Sequence, residues 1–527
     1  MALRKVKTEN GWLAGVPSGI RTVTVFRGIP YAAPPVGERR WKAPAPSESW
    51  DGIRNAGSFA PIAAQTVEDD IFYSREFDYR QREPMSEDCL YLNIWTPAFS
   101  EADQLPVLFY IHGGGFRSGY SYEPFMDGDS FCKQGVILVT ITYRLGCLGF
   151  LSHPALASEN ASGSSGNWGL MDQIAALQWV HRNIAAFGGD PGRITVFGQS
   201  AGAFSVQALV SSPLAKGLIA GAILQSAGGY SGALPSALPT VQAEQAETLG
   251  REMMRELGVS SIEQARALPY EDIIQAQLRL EQAHGGIVFG PSVDGFVLPC
   301  EPDRAVEQHS LLPIPYILGC TDHENGSFDV GGHPTQAEYL SSIRSWLGAD
   351  ADRFLRLTGF EADPEYAISY GGMDDMLKPP SLAFCEYMAE HQWKHPVFFY
   401  YFDRALPGDD HPGAFHSGEL WYTFGTIHRS RRPMTGTDYD IAQAMVRYWS
   451  NFAKSGDPNG GGLPRWTPYT AAHRDGMVFC ERSCMQNYPG TARMHFLVDR
   501  ILGRCCLTVF CRRYPHENHI MRIDHAS

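Results

Sequence analysis

Two segments carry residues that could together perform acyl transfer. Gly198-Gln199-Ser200-Ala201-Gly202 follows the β-type run Ile194-Thr195-Val196-Phe197 and precedes an apolar, helix-like run over 204–210. A strand, a glycine-flanked serine and a helix make a sharp elbow. The small flanking residues let strand and helix pass closely, and the strained turn pushes the hydroxyl into a cleft. The second segment is Pro106-Val107-Leu108-Phe109-Tyr110-Ile111, a buried-strand pattern that runs straight into His112-Gly113-Gly114-Gly115-Phe116. Attack by a serine puts negative charge on the former carbonyl oxygen, and consecutive glycines can turn backbone N–H groups toward it. No lysine or Gly-Lys-Ser/Thr follows these glycines, which disfavours a phosphate-cradling loop.

A nucleophilic serine needs a base, and the base needs an orienting acid. In α/β-hydrolases the chain order is serine, acid, histidine, each in a loop after a strand. Three later runs read as strands: Gly221-Ala222-Ile223-Leu224-Gln225, Ile314-Pro315-Tyr316-Ile317-Leu318 and Val397-Phe398-Phe399-Tyr400-Tyr401-Phe402. The loop after the second contains Asp322, His323 and Glu324; the loop after the third contains His416 in Phe415-His416-Ser417-Gly418-Glu419. Glu324 and His416 are therefore the candidate acid and base. Asp322 competes for the acid, Asp403 is a more distant rival, and His411 and His428 flank the candidate base.

HGGGF, GQSAGA, the acid loop and the His416-Ser417-Gly418-Glu419 segment stand in the order seen in type-B carboxylesterases, the family of cholinesterases and bacterial para-nitrobenzyl esterases, which the chain resembles. Further segments are similar to that family: Phe26-Arg27-Gly28-Ile29-Pro30-Tyr31, Ser86-Glu87-Asp88-Cys89-Leu90-Tyr91-Leu92-Asn93, Gly166-Asn167-Trp168-Gly169-Leu170-Met171-Asp172-Gln173 and Phe187-Gly188-Gly189-Asp190-Pro191. The resemblance spans roughly the first 480 residues. It implies an α/β-hydrolase fold, with a mostly parallel twisted sheet flanked by helices, and a cofactor-free serine carboxylesterase acting through an acyl-enzyme. It assigns Ser200 as nucleophile, His416 as base and Glu324 as acid, five residues after Gly319, with Asn325 where the family has glycine. It also makes the amides of Gly114, Gly115 and Ala201 the oxyanion donors. Amide or lactone hydrolysis would use the same residues; adhesion proteins of the same family lack a triad member, whereas this chain keeps all three.

The resemblance extends to neighbouring positions. Phe289 falls in the family's acyl-pocket segment, Arg40 and Glu87 match a structural ion pair, and Ser226 matches a serine that touches the acid. Gln199 replaces the family's usual glutamate; it is expected to face the cleft, bind substrate and donate to Glu419, so that neutral esters are preferred. In secreted relatives the cysteine matching Cys89 pairs with an upstream cysteine, but here that stretch reads Ala60-Pro61-Ile62-Ala63-Ala64-Gln65, which leaves Cys89 a thiol.

Composition bounds the remaining possibilities. A formal net charge of −14 and a pI near 5.6 speak against nucleic acid or anionic membrane as partners, since both need a basic patch. Met1-Ala2-Leu3-Arg4-Lys5-Val6-Lys7 has no apolar core behind its basic residues, and no uncharged apolar run is long enough to span a bilayer. A cytoplasmic enzyme on small-molecule esters, monomeric or a weak homo-oligomer, is the expectation. With 44% hydrophobic residues and no linker or repeat, 1–527 reads as one domain, with a helical insertion around 241–282 and a C-terminal tail from about 485. Of the 11 cysteines, Cys480, Cys484, Cys505, Cys506 and Cys511 lie near His516 and His519, but their spacing forms no clean pairs for zinc, so no metal is expected.

Overall fold

Runs such as 107–111 and 397–402 are apolar at every position and rich in β-branched and aromatic residues, which suits inner strands covered on both faces. The computed structural model describes residues 2–66, 72–78, 82–232, 234, 240–327 and 334–504. Eleven strands form its main sheet: β1 (Val16–Pro17), β2 (Thr24–Pro30), β3 (Tyr91–Thr96), β4 (Leu105–Ile111), β5 (Ile137–Ile141), β6 (Gly189–Gln199), β7 (Gly221–Gln225), β8 (Tyr316–Thr321), β9 (Val397–Phe402), β10 (Asp475–Phe479) and β11 (Cys484–Asn487). Their spatial order is β11-β10-β9-β8-β7-β6-β4-β5-β3-β2-β1. The strands from β5 through β4 and β6 to β10 run parallel, and antiparallel pairs close both edges.

Side chains alternate between two cores. In β9, Val397, Phe399 and Tyr401 enter one apolar cluster, whereas Phe398, Tyr400 and Phe402 enter the other. The helices include α1 (Trp168–Asn183), α2 (Ala201–Ser211), α3 (Ala243–Glu256), α4 (Tyr270–His284), α5 (Met373–Glu390), α6 (Gly436–Ser455) and α7 (Ala492–Ile501). Leu170, Ile174, Leu177 and Val180 recur at helical spacing and put α1 on the first core, with α2, α5 and α7. On the opposite face α6 contributes Ile441, Met445, Trp449 and Phe452.

The stretch 241–282 contains α3, the short helix Ile262–Arg266 and most of α4. Arg40 fastens it to the N-terminal region, bonding Glu87 at 2.5 Å and donating to the carbonyls of Ala265, Arg266 and Leu268. Beyond position 485 the chain completes the edge strand β11 and adds α7, which packs on α5 through the Arg493–Asp375 ion pair at 2.6 Å. Cys505, Cys506, Cys511, His516 and His519 lie outside the described residues. No helix among the described residues is long and apolar enough to cross a membrane.

Parallel register aligns the strand ends that matter. Gly198 pairs with Ile111, Gln199 with Gln225, Gln225 with Gly319, and Thr321 with Phe402. The segments leaving β4, β6, β8 and β9 therefore emerge side by side at one edge, where open parallel sheets place their binding crevices.

Candidate active site

Ser200 joins β6 to α2 with φ 58° and ψ −129°, a conformation that L-residues rarely adopt. Close packing holds it there. A Cβ on Gly202 would stand 2.1 Å from the Ile111 carbonyl oxygen, and one on Gly198 would stand 2.4 Å from the Gly202 carbonyl carbon. Only glycine allows strand and helix this near each other. The Ser200 N–H still donates to Gln225 O at 2.9 Å, so the elbow residue remains bonded to the sheet.

The glycine loop after β4 lies against the elbow: a Cβ on Gly113 would come 3.1 Å from Ser200 Cβ. Gly114 has φ +93°, and a side chain there would strike Ser118 O at 2.2 Å. Gly115 follows at φ +63°. Among the described residues, the amides of Gly114, Gly115 and Ala201 find no hydrogen-bond acceptor, so three donors are left beside the serine. His112 props the loop, its ring stacked on Tyr143 and its carbonyl accepting the Tyr143 hydroxyl at 2.9 Å. Burial lowers its pKa to about 4, so it stays neutral and offers no competing base.

Glu324 and His416 come together from the two later loops. Glu324 is fully buried, its Oε2 2.5 Å from His416 Nδ1 and its Oε1 accepting the Thr321 N–H at 2.8 Å. Asp322 points elsewhere, accepting the hydroxyls of Tyr401 at 2.5 Å and Tyr370 at 3.5 Å. His411 and His428 are exposed, whereas His416 is buried. Burial pushes Asp403 up to about 6, and the charge of Asp322 adds to that shift. From the far side Tyr73 donates to His416 O at 3.0 Å and Phe72 meets Phe415 edge-to-face, contacts that no spacing in the chain pointed to.

Gln199 departs from expectation. Its amide nitrogen lies 3.2 Å from His416 Nε2 and 3.5 Å from Nδ1, and the expected bond to Glu419 is absent. One atom nearly equidistant from both ring nitrogens cannot lie on either lone pair, so the amide packs over the imidazole face. The amide that reaches Glu419 belongs to Gln225, at 3.3 Å, because Gln225 ends β7 directly beneath the histidine loop. Burial raises the Glu419 pKa to about 8, with the charge of Glu324 as the next cause, and its Oε2 has no hydrogen-bond partner among the described residues. Ser226 is likewise buried with its hydroxyl unpartnered among those residues, so it makes no bond to the acid. Phe289 is only 3% exposed and sits in the core, whereas Ile287, 45% exposed, reaches within 2.8 Å of where a Gly115 Cβ would be. Ile287 is thus an exposed apolar side chain bordering the glycine loop, which its place after Gly285-Gly286 did not single out.

A mostly parallel sheet with a strained serine elbow after one strand and a buried acid–histidine contact after two others defines an α/β-hydrolase. Residues 2–346 and 372–497 match the carboxylesterase family model, and the chain belongs to that family; it is a carboxylic ester hydrolase. It is 34% identical to the fumonisin B1 esterase of Sphingopyxis macrogoltabida over 87% of this chain and 83% of that protein. Identity to the para-nitrobenzyl esterase of Bacillus subtilis is 33%, over 92% and 95%. Among solved structures, a thermophilic para-nitrobenzyl esterase superposes with a TM-score of 0.81 at 30% identity, covering 94% of this chain and all of that one.

The protonated state of Glu419 leads to a stability prediction. Its folded pKa of about 8 lies above the ordinary 4.5, so across that interval the unfolded chain releases a proton that the folded chain retains. Stability contributed by this group therefore falls as pH rises from 4.5 to 8. Glu419→Gln keeps an acceptor for Gln225 and removes the titration. Its Tm should exceed that of the parent at about pH 8 by more than at about pH 5; an equal difference at both pH values in thermal melts would refute the protonated assignment.

Proposed function

We propose that the enzyme hydrolyses carboxylic esters through an acyl-enzyme on Ser200. The serine Oγ bonds to the ester carbonyl carbon while its proton passes to His416 Nε2, and the carbonyl oxygen becomes an oxyanion facing the amides of Gly114, Gly115 and Ala201. Collapse breaks the bond to the alcohol, which leaves with the proton from His416. Water then repeats the attack and releases the acid. Glu324 fixes the imidazole tautomer and stabilises the imidazolium. The observation that carries this reading is the 2.5 Å contact of Glu324 with His416 Nδ1. It commits Nδ1 to the acid and leaves Nε2 for the serine; of the two ring nitrogens, Nε2 is the nearer to Gln199, the residue before Ser200.

Ser200→Ala should lower kcat by roughly 10⁴ to 10⁶ with the fold intact. Glu324→Gln should cost far more activity than Asp322→Asn. Intact-mass labelling with an organophosphate checks the nucleophile; modification elsewhere, or the opposite ranking of the two carboxylates, would overturn the assignment.

Neutral esters are the favoured substrates in this reading. The support is electrostatic: Gln199 is an uncharged amide against the imidazole, and Glu419 is held protonated by burial. Neither offers a negative charge to a cationic alcohol group. kcat/KM for acetylthiocholine should fall well below that for a neutral acetate ester of similar size, and Gln199→Glu should narrow the gap about tenfold if the added charge contributes roughly 1.4 kcal/mol. Equal relative rates in parent and variant would show that Gln199 does not influence the substrate.

We also propose that the enzyme works in the cytoplasm. Eight cysteines among the described residues are free, the buried Cys89 included, a state that reducing compartments maintain. Thiol titration of freshly isolated, unfolded protein should count 11 thiols per chain, matching the cysteine content; a lower count would indicate disulfides and an oxidising compartment.

A further inference from the structure

Behind the candidate acid lies an ion pair that the reaction scheme does not use. The first turns of α5 carry Asp374 and Lys378, one helical turn apart and 2.7 Å from each other, with side chains 1% and 5% exposed. Two charges taken out of water persist only if their remaining hydrogen-bonding capacity is met. Here it is met by the acid loop. Asp374 Oδ1 accepts the Glu324 N–H at 3.1 Å and Oδ2 accepts the Asn325 N–H at 2.9 Å, while Lys378 Nζ donates to the Asp322 carbonyl at 2.6 Å. The Asn325 side chain donates to Ser369 O at 3.0 Å and accepts the Met373 N–H at 3.4 Å.

We propose that Asp374 and Lys378 are positioning residues for the triad acid. The inference rests on Glu324 being that acid. Apart from His416, the Glu324 carboxylate is given only one bond among the described residues, from the Thr321 N–H, so its place is set mainly by the path of its own backbone. That backbone is held at both ends of the turn: Lys378 grips the carbonyl of Asp322, and Asp374 grips the N–H of Glu324 and the one after. Release of either hold lets the carboxylate drift from Nδ1, and a displacement near 1 Å in a catalytic geometry costs on the order of 10²-fold in rate.

A second buried pair on the same helix serves as comparator. Asp375 bonds Arg493 at 2.6 Å, and Arg493 also donates to Ala367 O, so this pair ties α7 to α5. The test compares two charge-balanced double variants, Asp374→Asn/Lys378→Met and Asp375→Asn/Arg493→Met, with p-nitrophenyl acetate as substrate. Rates are expressed per site titrated by an organophosphate, so that only folded enzyme counts. The first should lose about 10²-fold in kcat with KM within about twofold; the comparator should lose thermal stability but keep kcat within about twofold. Should the first double variant fail to fold, Asp374→Asn alone, which retains one acceptor, should still lose about tenfold in kcat at unchanged KM. Equal kcat losses in the two pairs, or a loss carried by KM, would overturn the proposal. Glu324→Gln measured alongside separates the two levels: full activity there defeats the acid assignment and the inference with it, whereas a loss there beside intact kcat in the Asp374 variants defeats the inference alone.

Discussion

The site depends on a hydrogen-bond ladder that continues past the ends of the parallel strands. Ser200 N donates to Gln225 O, Ser226 N to Gly319 O and Asp322 N to Phe402 O, at 2.8 to 2.9 Å. The serine elbow and the loop that carries Glu324 are thus the last rungs of the sheet. Backbone groups at this depth must find partners, and satisfying them here sets the lateral spacing of candidate site residues that lie far apart in the chain. The strained conformation of Ser200 persists because the sheet on one side and α2 on the other leave it no alternative.

Burial then decides which titratable groups carry charge. His112 and Glu419 both flank the candidate site, and desolvation holds both neutral near pH 7, the first by lowering and the second by raising its pKa. The acid–histidine pair is buried as well, but each partner has the other at hydrogen-bond distance. Two amides complete the surroundings: Gln199 over the imidazole face and Gln225 on Glu419. The region around His416 is consequently lined by uncharged amides as well as by the Glu324 carboxylate.

Helices outside the sheet supply the tension that loops lack. α4 sends Glu281 to Arg117 at 3.0 Å, bracing the glycine loop after β4, and Gln277 of the same helix accepts the Cys147 N–H at 2.7 Å. α5 braces the acid loop through Asp374 and Lys378, and the segment around Tyr73 braces the histidine loop. Each loop at the candidate site is therefore supported from a different direction. Polar groups from distant parts of the chain provide that support, as accurate geometry in a loop requires.

Local pattern is enough to determine the parts that act through short-range sterics. Ser200 between Gly198 and Gly202, the glycines after a buried strand, and the order of acid and histidine after later strands are legible because an elbow or an amide-donating loop needs those residue types wherever it occurs. Choosing Glu324 over Asp322 requires more, since nearby carboxylates differ only in which way the loop turns them, and the structure turns Asp322 toward Tyr401. The chain shows Gln199 beside the elbow serine but points to the wrong partner, because register puts Gln225, not Gln199, beneath Glu419. Phe289 and Ile287 exchange prominence for a similar reason: exposure depends on how their loop packs near Gly115, not on hydrophobicity. Asp374 and Lys378 stand one turn apart on a helix, and nothing in their spacing singles them out from other i, i+4 pairs. Only the tertiary structure buries them against the acid loop, because contacts between segments about fifty residues apart leave no trace in local spacing.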